Sequence, residues 1–352
     1  MTGDVFIVLE SGEVFAGKAF GAKTEAVGEL VFTTGMGGYI ETLTDPSYCG
    51  QIVLQTFPLI GNYGIISADF ESRGCFAKGY VVRDLCETPS NFRSELTLDA
   101  YLKSQGIPGV YGVDTRVLTK LIREKGVMNA VITTNPDNVD FGSLKAYKVG
   151  NVLSYVSTKE HSVCLPVGEI KYNIALMDYG AKLNIVRELT KRGCRVEVFP
   201  CDTAAKELED FDAVMLSNGP GDPADYIDQA LEIKKLLGKK PIFGICLGHQ
   251  LLALAAGAKT KRLKYGHRGV NHPVKDITGS RTFITTQNHG YAVDENTLPD
   301  FAKLRYVNAN DGSCEGIDYP SMRAFSVQFH PEACAGPLDT EFLFDSFLAM
   351  VE

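Results

Sequence analysis

From Tyr172 onward, short apolar strand patterns alternate with longer helical patterns. The segments NIALMD, RVEVFP, FDAVMLS and PIFGI have the composition of buried strands, and the segments between them have helical periodicity. Such alternation is typical of βαβ units, which form a parallel sheet with helices packed on it. We therefore predict a doubly wound, mostly parallel α/β domain over residues 172–352, with ligands bound beyond the carboxyl ends of its strands.

The first part of the chain has a different pattern. Residues 1–150 contain β-type segments punctuated by glycine, such as DVFIVLE and AKGYVVRD, and one helical pattern, TRVLTKLIREKG. A chain of 352 residues is long enough for two domains. We predict an N-terminal mixed α/β domain over residues 1–150, and a linker over residues 151–171, where the periodicity fades.

Charge and cysteine content exclude several classes of protein. The net charge of -8 argues against nucleic-acid and acidic-membrane partners, because phosphate binding needs clustered Lys and Arg. Nine cysteines, an odd number with no C-x-x-C pair, argue against a disulfide framework and a zinc site. The N-terminus has no basic region followed by an apolar core. We expect a cytoplasmic protein with reduced cysteines and no metal.

One segment has the spacing of a phosphate-binding loop. Residues 12–18, GEVFAGK, match G-x-x-x-x-G-K, but Ala19 stands where Ser or Thr would hold magnesium, and a strand pattern follows. A β-hairpin is the preferred interpretation. We find no other candidate nucleotide site in the sequence and expect no cofactor in this chain.

The segment PIFGICLGHQ resembles a nucleophile elbow in which Cys246 replaces the usual serine. The turn that lifts a nucleophile off a strand end is strained and crowded, so Gly244 and Gly248 fit the positions two residues before and after it. The alternative is a tight strand-to-helix turn around an inert buried cysteine.

A cysteine nucleophile requires a base. A free thiol with a pKa of ~8.5 is only a few per cent ionised at pH 7, and a helix N-terminus contributes too little to change this. Six histidines are available: His161, His249, His267, His272, His289 and His330.

We expect His161 to be a solvated linker residue, His249 to be a packing residue, and His267 and His272 to lie in a loop. In SVQFHPE, we expect a strand that ends at His330 because Pro331 follows it. Glu332, two residues on, would lie on the same side and orient the imidazole. An ordinary strand end with solvated side chains is the alternative for this pair.

Three motifs occur in one order along the second domain: SNGPGDP at residues 217–223, GICLGHQ and FHPE. In these motifs the chain resembles the class I (triad) glutamine amidotransferases. The segments GGYIETLTDPSYCGQIV, TFPLIGNYG, GVDTRVLTKLIREKG and QNHGYAVD are similar to the small chains of carbamoyl-phosphate synthase.

The resemblance implies that Cys246 is the nucleophile, His330 the general base and acid, and Glu332 the residue that orients it. Backbone N–H groups of Leu247, Gly219 and Gly221 would stabilise the oxyanion. The family's glutamine-binding positions correspond to Ser47, Gly219, Gly221, Leu247, Gln250, Asn288, Gly290 and Tyr291. Family members commonly have Phe where Tyr291 stands, and contacts through the backbone would survive that change.

The resemblance also implies a reaction and a partner. Glutamine would be hydrolysed to glutamate and ammonia through a cysteine thioester. A separate large synthetase chain, binding ATP and Mg²⁺, would use the ammonia to make carbamoyl phosphate from bicarbonate. The N-terminal domain would contact that partner, and Ser47 would place the site near the domain boundary. Two other functions stay open: a cysteine hydrolase acting on peptides or thioesters, and an inactive regulatory subunit.

Overall fold

The computed structural model describes residues 4–352. Two compact units are present, the first ending at Val149 and the second beginning at Gly150. The boundary between the two units coincides with the point near residue 150 where the sequence pattern changes.

The first unit is built on a closed barrel in the strand order β1-β2-β8-β6-β4-β3-β9, with a separate pair β5-β7. Its strands are β1 (Asp4–Leu9), β2 (Val14–Gly21), β3 (Ala26–Thr33), β4 (Gln51–Gln55), β5 (Leu59–Ile60), β6 (Gly79–Val81), β7 (Asp84–Leu85), β8 (Pro108–Tyr111) and β9 (Met128–Thr133). Its helices are α1 (Tyr39–Thr44), α2 (Leu98–Ser104), α3 (Thr115–Lys125) and α4 (Phe141–Ala146). The mixed α/β composition is as predicted, whereas the closure of the strands into a barrel was not.

Two local predictions for this unit are confirmed. The segment GEVFAGK lies in the antiparallel hairpin of β1 and β2 and forms no phosphate loop. Helix α3 begins after Asp114, whose carboxylate accepts hydrogen bonds from two backbone N–H groups of the first turn, and ends at Gly126 with φ 97°. Leu118 and Ile122 of α3 are fully buried, whereas the neighbouring Val117 is 43% exposed.

The second unit contains a ten-stranded sheet in the order β10-β12-β11-β13-β14-β19-β18-β17-β15-β16. Its strands are β10 (Ser162–Cys164), β11 (Tyr172–Asp178), β12 (Cys194–Pro200), β13 (Ala213–Leu216), β14 (Ile242–Ile245), β15 (Lys259–Asp276), β16 (Thr282–Asp294), β17 (Lys303–Asn308), β18 (Cys314–Tyr319) and β19 (Ala324–Val327). Its helices are α5 (Leu153–Val156), α6 (Leu183–Lys191), α7 (Ile227–Leu236), α8 (Leu247–Ala256) and α9 (Phe342–Leu348).

The five strands from β12 to β19 in this order are parallel to one another, and the remaining strands pair antiparallel. Successive residues of the central strands face opposite cores, as the two-residue period of a strand requires. Met177 of β11 packs in the same core as residues of α7 and α8, whereas Leu176 packs with residues of α6 and α9. Helices therefore cover both faces, and the predicted doubly wound α/β class is confirmed.

Three predictions of local structure differ from what is observed. The segment 151–171, expected to be a linker, contributes α5 and the edge strand β10 to the second unit. His267 and His272 lie on the long strand β15 and not in a loop. The strand expected to reach His330 ends at Val327, because the chain leaves the sheet before Pro331.

Among residues 4–352, no helix has both the length and the apolar composition needed to cross a lipid bilayer.

Candidate active site

Cys246 lies between the end of β14 and the first turn of α8, in an unusual backbone conformation. Its φ is 53° and its ψ is -102°, and such positive φ values are strained for a residue with a side chain. A Cβ on Gly244 would lie 2.7 Å from the Gly248 carbonyl oxygen, and one on Gly248 would lie 2.4 Å from the Leu216 carbonyl oxygen. The prediction that both positions need glycine is confirmed.

His330 and Glu332 are held beside the elbow by a turn after β19. The His330 N–H donates to the Thr286 carbonyl oxygen at 2.9 Å, which ties this turn to β16. Nδ1 of His330 lies 2.7 Å from Oε1 of Glu332, and both side chains are buried. Because a carboxylate accepts hydrogen bonds, Nδ1 carries a hydrogen, and in the neutral ring Nε2 keeps its lone pair. The neutral form of His330 is therefore the one oriented as a base.

The SNGPGDP segment is placed against the start of α8. The Gly248 N–H donates to the Ser217 carbonyl oxygen at 3.0 Å. Gly219 is so close to this helix that a Cβ on it would lie 2.7 Å from Cδ2 of Leu247. The Leu247 N–H belongs to the first helical turn, where no intrahelical acceptor exists. Stabilisation of an oxyanion beside the Cys246 thiol by Leu247 and Gly219 stays a prediction.

Strand β16 brings the QNHGY segment to the elbow. The Asn288 carbonyl oxygen lies 3.6 Å from Sγ of Cys246. Nε2 of Gln250 donates to the Tyr291 carbonyl oxygen at 2.8 Å and to Oε1 of Gln328 at 2.9 Å. With both amide hydrogens engaged, only the side-chain oxygen of Gln250 has hydrogen-bonding capacity left for a ligand.

Comparisons with known proteins place both units in one family. The second unit matches the family model of class-I glutamine amidotransferases over residues 175–350, and the first matches the CPSase domain of the carbamoyl-phosphate synthase small chain over residues 7–132. The chain is 51% identical to the carbamoyl phosphate synthase small chain of Clostridium perfringens over 346 residues, covering 97% of this chain and 98% of that protein. It is 52% identical to the Fusobacterium nucleatum small chain over 352 residues, covering 98% of each. The pyrimidine-specific small chain of Bacillus subtilis is 47% identical over 348 residues, covering 98% of this chain and 95% of that protein.

The chain belongs to the carbamoyl-phosphate synthase small chains. Its second unit is a class I glutamine amidotransferase domain, as the SNGPGDP, GICLGHQ and FHPE motifs predicted.

One group at the small-chain site was missed by sequence reasoning. Nζ of Lys182 lies 3.3 Å from Oε1 of Glu332 and 3.2 Å from Nδ1 of His330, and its side chain is only 9% exposed. Since Nδ1 carries a hydrogen, the ion pair with Glu332 is the stabilising contact. Asn184 donates a side-chain hydrogen bond to the Glu332 carbonyl oxygen. Lys182 follows β11 at the carboxyl edge of the sheet, and that position was the available signal.

The charges of this buried group are coupled. Burial raises the pKa of Glu332, but His330 and Lys182 together hold it well below its usual range. Burial and Lys182 lower the pKa of His330, and the nearby Glu332 and Cys246 more than offset them, so the net shift is upward. The carboxylate thus stays ionised at neutral pH and favours the protonated imidazole.

The other histidines have partners outside the Cys246–His330–Glu332 group. His249 is fully buried, with Nδ1 2.8 Å from Oγ of Ser326, and burial lowers its pKa to about 3. It fits the predicted packing role. His161, expected to be solvated, pairs with Glu197 across the edge of the sheet. His267 and His289 form with Glu315 a buried group that has the donor atoms for a metal ion.

Ser47 lies in the first unit, in a short 3-10 turn (Pro46–Tyr48). Its N–H donates to Oδ1 of Asp45 at 2.9 Å, and its side chain is buried. Its role in binding glutamine stays a prediction, as do the roles of Gly219, Gly221, Leu247, Gln250, Asn288, Gly290 and Tyr291.

Replacing Gly248 with Ala tests the crowding at the elbow. We expect Gly248→Ala to lower the free energy of unfolding by about 1–3 kcal/mol, because the new methyl group meets the Leu216 backbone. The better helix propensity of Ala would offset about 1 kcal/mol at most. Thermal and urea denaturation followed by circular dichroism measures the change.

Gly279→Ala is the matched control in the same unit. A Cβ there has its nearest neighbours at 3.7 Å or beyond, so stability should change little. Equal loss of stability in the two variants would contradict the crowding argument.

Replacing Glu332 with Gln tests the charge coupling. Because Glu332 raises the pKa of His330, we expect Glu332→Gln to lower that pKa, so the imidazole loses its proton at a lower pH than in the wild type. The titration is measured by NMR on protein labelled at histidine. We also expect glutaminase kcat to fall about 10²–10⁴-fold.

Glu188→Gln removes another buried carboxylate, which pairs with Arg192 on α6. It should leave the titration of His330 unchanged. An unshifted His330 titration in Glu332→Gln would rule out the proposed coupling.

Proposed function

We propose that this chain hydrolyses L-glutamine to glutamate and ammonia through a thioester on Cys246. The observation that carries the proposal is a strained, helix-terminal cysteine whose thiol interacts with His330 of a buried His330–Glu332 pair. The Cys246 side chain is 2% exposed, so reaction intermediates would be kept from bulk water.

Each residue has a defined step in this mechanism. Nε2 of His330 takes the thiol proton, and the thiolate attacks the carboxamide carbon of glutamine. Backbone N–H groups of Leu247 and Gly219 stabilise the resulting oxyanion, each such donor contributing about 3–4 kcal/mol. The imidazolium then protonates the leaving nitrogen, and ammonia departs. Water, deprotonated by His330, attacks the thioester and releases glutamate.

We assign glutamine recognition to the positions that the family resemblance implies. Support comes from the 3.6 Å contact of the Asn288 carbonyl oxygen with Sγ of Cys246 and from the Gln250–Tyr291 hydrogen bond. The proposed binding positions are Ser47, Gly219, Gly221, Leu247, Gln250, Asn288, Gly290 and Tyr291.

The ammonia is passed to a large synthetase chain that makes carbamoyl phosphate from bicarbonate, for arginine and pyrimidine biosynthesis. ATP and Mg²⁺ bind to that partner, and this chain holds no cofactor for the reaction. The proposal is supported by the relatives, which are named as small chains and one of which is named as pyrimidine-specific. The first unit serves in partner contact, and the complex is cytoplasmic.

A peptide or thioester hydrolase is the principal rival, since an elbow with a His–carboxylate pair suits any acyl transfer. Membership of the amidotransferase family over residues 175–350 favours glutamine instead. Peptide cleavage without glutamate release from glutamine would reverse this choice. Failure of a glutamine-like electrophile to label Cys246 would favour the inactive regulatory subunit.

Cys246→Ser in the complex with the large chain separates the two half-reactions. We expect glutamine-dependent carbamoyl phosphate synthesis to be lost, because a serine hydroxyl is a far weaker nucleophile at this pH. Ammonia-dependent synthesis should continue, since it does not use the thiol. Both rates are measured as carbamoyl phosphate formed on the same preparation.

Cys164→Ser, which replaces a partly buried thiol on the edge strand β10, is the control and should retain both activities. Survival of glutamine-dependent synthesis in Cys246→Ser would contradict the role given to the thiol.

A further inference from the structure

A second buried group of titratable side chains lies outside the proposed hydrolysis. His267 of β15 pairs in register with His289 of β16, and their ring centroids are 4.9 Å apart. Glu315 of β18 is fully buried beside them. One donor atom from each residue lies within 4.8 Å of the others. Three strands therefore bring two imidazoles and a carboxylate to one place.

Each imidazole is oriented by a hydrogen bond at its far side. Nε2 of His267 lies 2.8 Å from Oδ2 of Asp311, and Nδ1 of His289 lies 2.7 Å from the Tyr291 carbonyl oxygen. A carboxylate and a carbonyl are acceptors, so these two ring nitrogens carry the hydrogens. In neutral rings, Nδ1 of His267 and Nε2 of His289 therefore keep their lone pairs.

The lone pair on Nδ1 of His267 faces the Glu315 carboxylate and the donor Nδ2 of Asn308, and the lone pair on Nε2 of His289 faces acceptor oxygens. Oε1 of Glu315 lies 3.4 Å from Nδ1 of His267 and 4.0 Å from Nε2 of His289. Oε1 of Gln287 lies 3.2 Å from Nε2 of His289. Acceptors that converge in a buried space are unfavourable unless a donor hydrogen or a positive charge lies between them. Oε2 of Glu315 has no hydrogen-bond partner among residues 4–352.

Asn308 partly balances the group without an ion. Its Nδ2 donates to Oε1 of Glu315 at 3.0 Å and lies 3.4 Å from Nδ1 of His267. Both contacts are made by one amide group, and Oε2 of Glu315 and Nε2 of His289 lie outside them.

We propose that Nδ1 of His267, Nε2 of His289 and the Glu315 carboxylate bind a divalent transition-metal ion of the Zn²⁺ type. Two imidazoles and one carboxylate form a ligand set that suits Zn²⁺ and not Mg²⁺ or Ca²⁺, which prefer oxygen ligands. Bonds of about 2.0–2.1 Å place tetrahedral ligand atoms roughly 3.4 Å apart. The observed separations from Glu315 are 3.4 and 4.0 Å, and all three donor atoms lie within 4.8 Å of one another, so metal binding would require the ligands to move closer together.

The surroundings have the arrangement that metal-bound histidines usually have. A ligating imidazole normally donates its other N–H to a carboxylate or a backbone carbonyl, which fixes the ring and raises its basicity. The Asp311 carboxylate accepts this hydrogen bond from His267, and the Tyr291 carbonyl oxygen accepts it from His289. Oε1 of Gln287 is placed to complete the coordination.

The ion would link β15, β16 and β18 next to the candidate active site. His289 follows Asn288, whose carbonyl oxygen lies 3.6 Å from Sγ of Cys246. Metal binding would therefore hold the segment to which we assign glutamine recognition, as a positioning element. This consequence depends on the proposed function, whereas metal binding itself does not.

Titration of the chelator-treated full chain with Co²⁺ tests the site without measuring activity. We expect one Co²⁺ per chain, with the visible ligand-field absorption of a tetrahedral ion and no thiolate charge-transfer band. Zn²⁺ should displace Co²⁺ and raise the melting temperature of the protein, because an ion that binds only the folded state stabilises it.

Variants locate the ion. Glu315→Gln, which keeps the shape of the side chain, should weaken Co²⁺ binding by more than about 100-fold, because loss of a ligand exceeds the roughly 10–100-fold cost of losing an outer-shell partner. Asp311→Asn alters an outer-shell carboxylate that is 47% exposed, so it should fold normally and weaken binding about 10–100-fold.

His272→Gln is the matched control, since His272 lies on the same strand with its ring 5.4 Å from that of His267 but outside the ligand set. It should bind Co²⁺ as the wild type does. Absence of stoichiometric binding in the wild type would overturn the proposal and leave a buried hydrogen-bond network. Binding that survives in both Glu315→Gln and Asp311→Asn would overturn it too, and would assign the ion to other groups.

Discussion

The close approach of backbone segments at Cys246 is the constraint on which the site depends. The Gly244 and Gly248 positions leave no room for a Cβ, so β14, α8 and the end of β13 contact one another directly. This contact forces Cys246 to a φ of 53° and places its side chain at the carboxyl edge of the parallel strands. The surrounding packed helix and sheet supply the energy that keeps the strained residue in place.

The second constraint is electrostatic. A buried carboxylate is costly unless cations pair with it, and Glu332 has His330 on one side and Lys182 on the other. Lys182 also opposes protonation of His330, so it limits how far Glu332 raises the pKa of that ring. The lysine thus helps to keep the carboxylate ionised and reduces the upward shift in the pKa of His330 without reversing it.

Local features of the site could be predicted from the sequence, and long-range ones could not. The glycines around Cys246 and the spacing of His330 and Glu332 are local patterns with a local physical cause. Lys182 immediately precedes helix α6, and only the contact of the segment after β11 with the FHPE turn reveals its partner. Closure of the first unit into a barrel depends likewise on pairing between β1 and β9, whose separation in sequence leaves no periodic signal.

The proposed metal group is a second case in which residues far apart in the sequence meet in the fold and could not be predicted. The absence of C-x-x-C pairs predicted no metal, but ligands from β15, β16 and β18 need no short spacing in sequence. Register alone brings His267 opposite His289. Strand β16 then serves both centres: Gln287 and His289 face the metal group, and Asn288 between them presents its carbonyl oxygen to Cys246. A shift of this strand at one centre must therefore move the other.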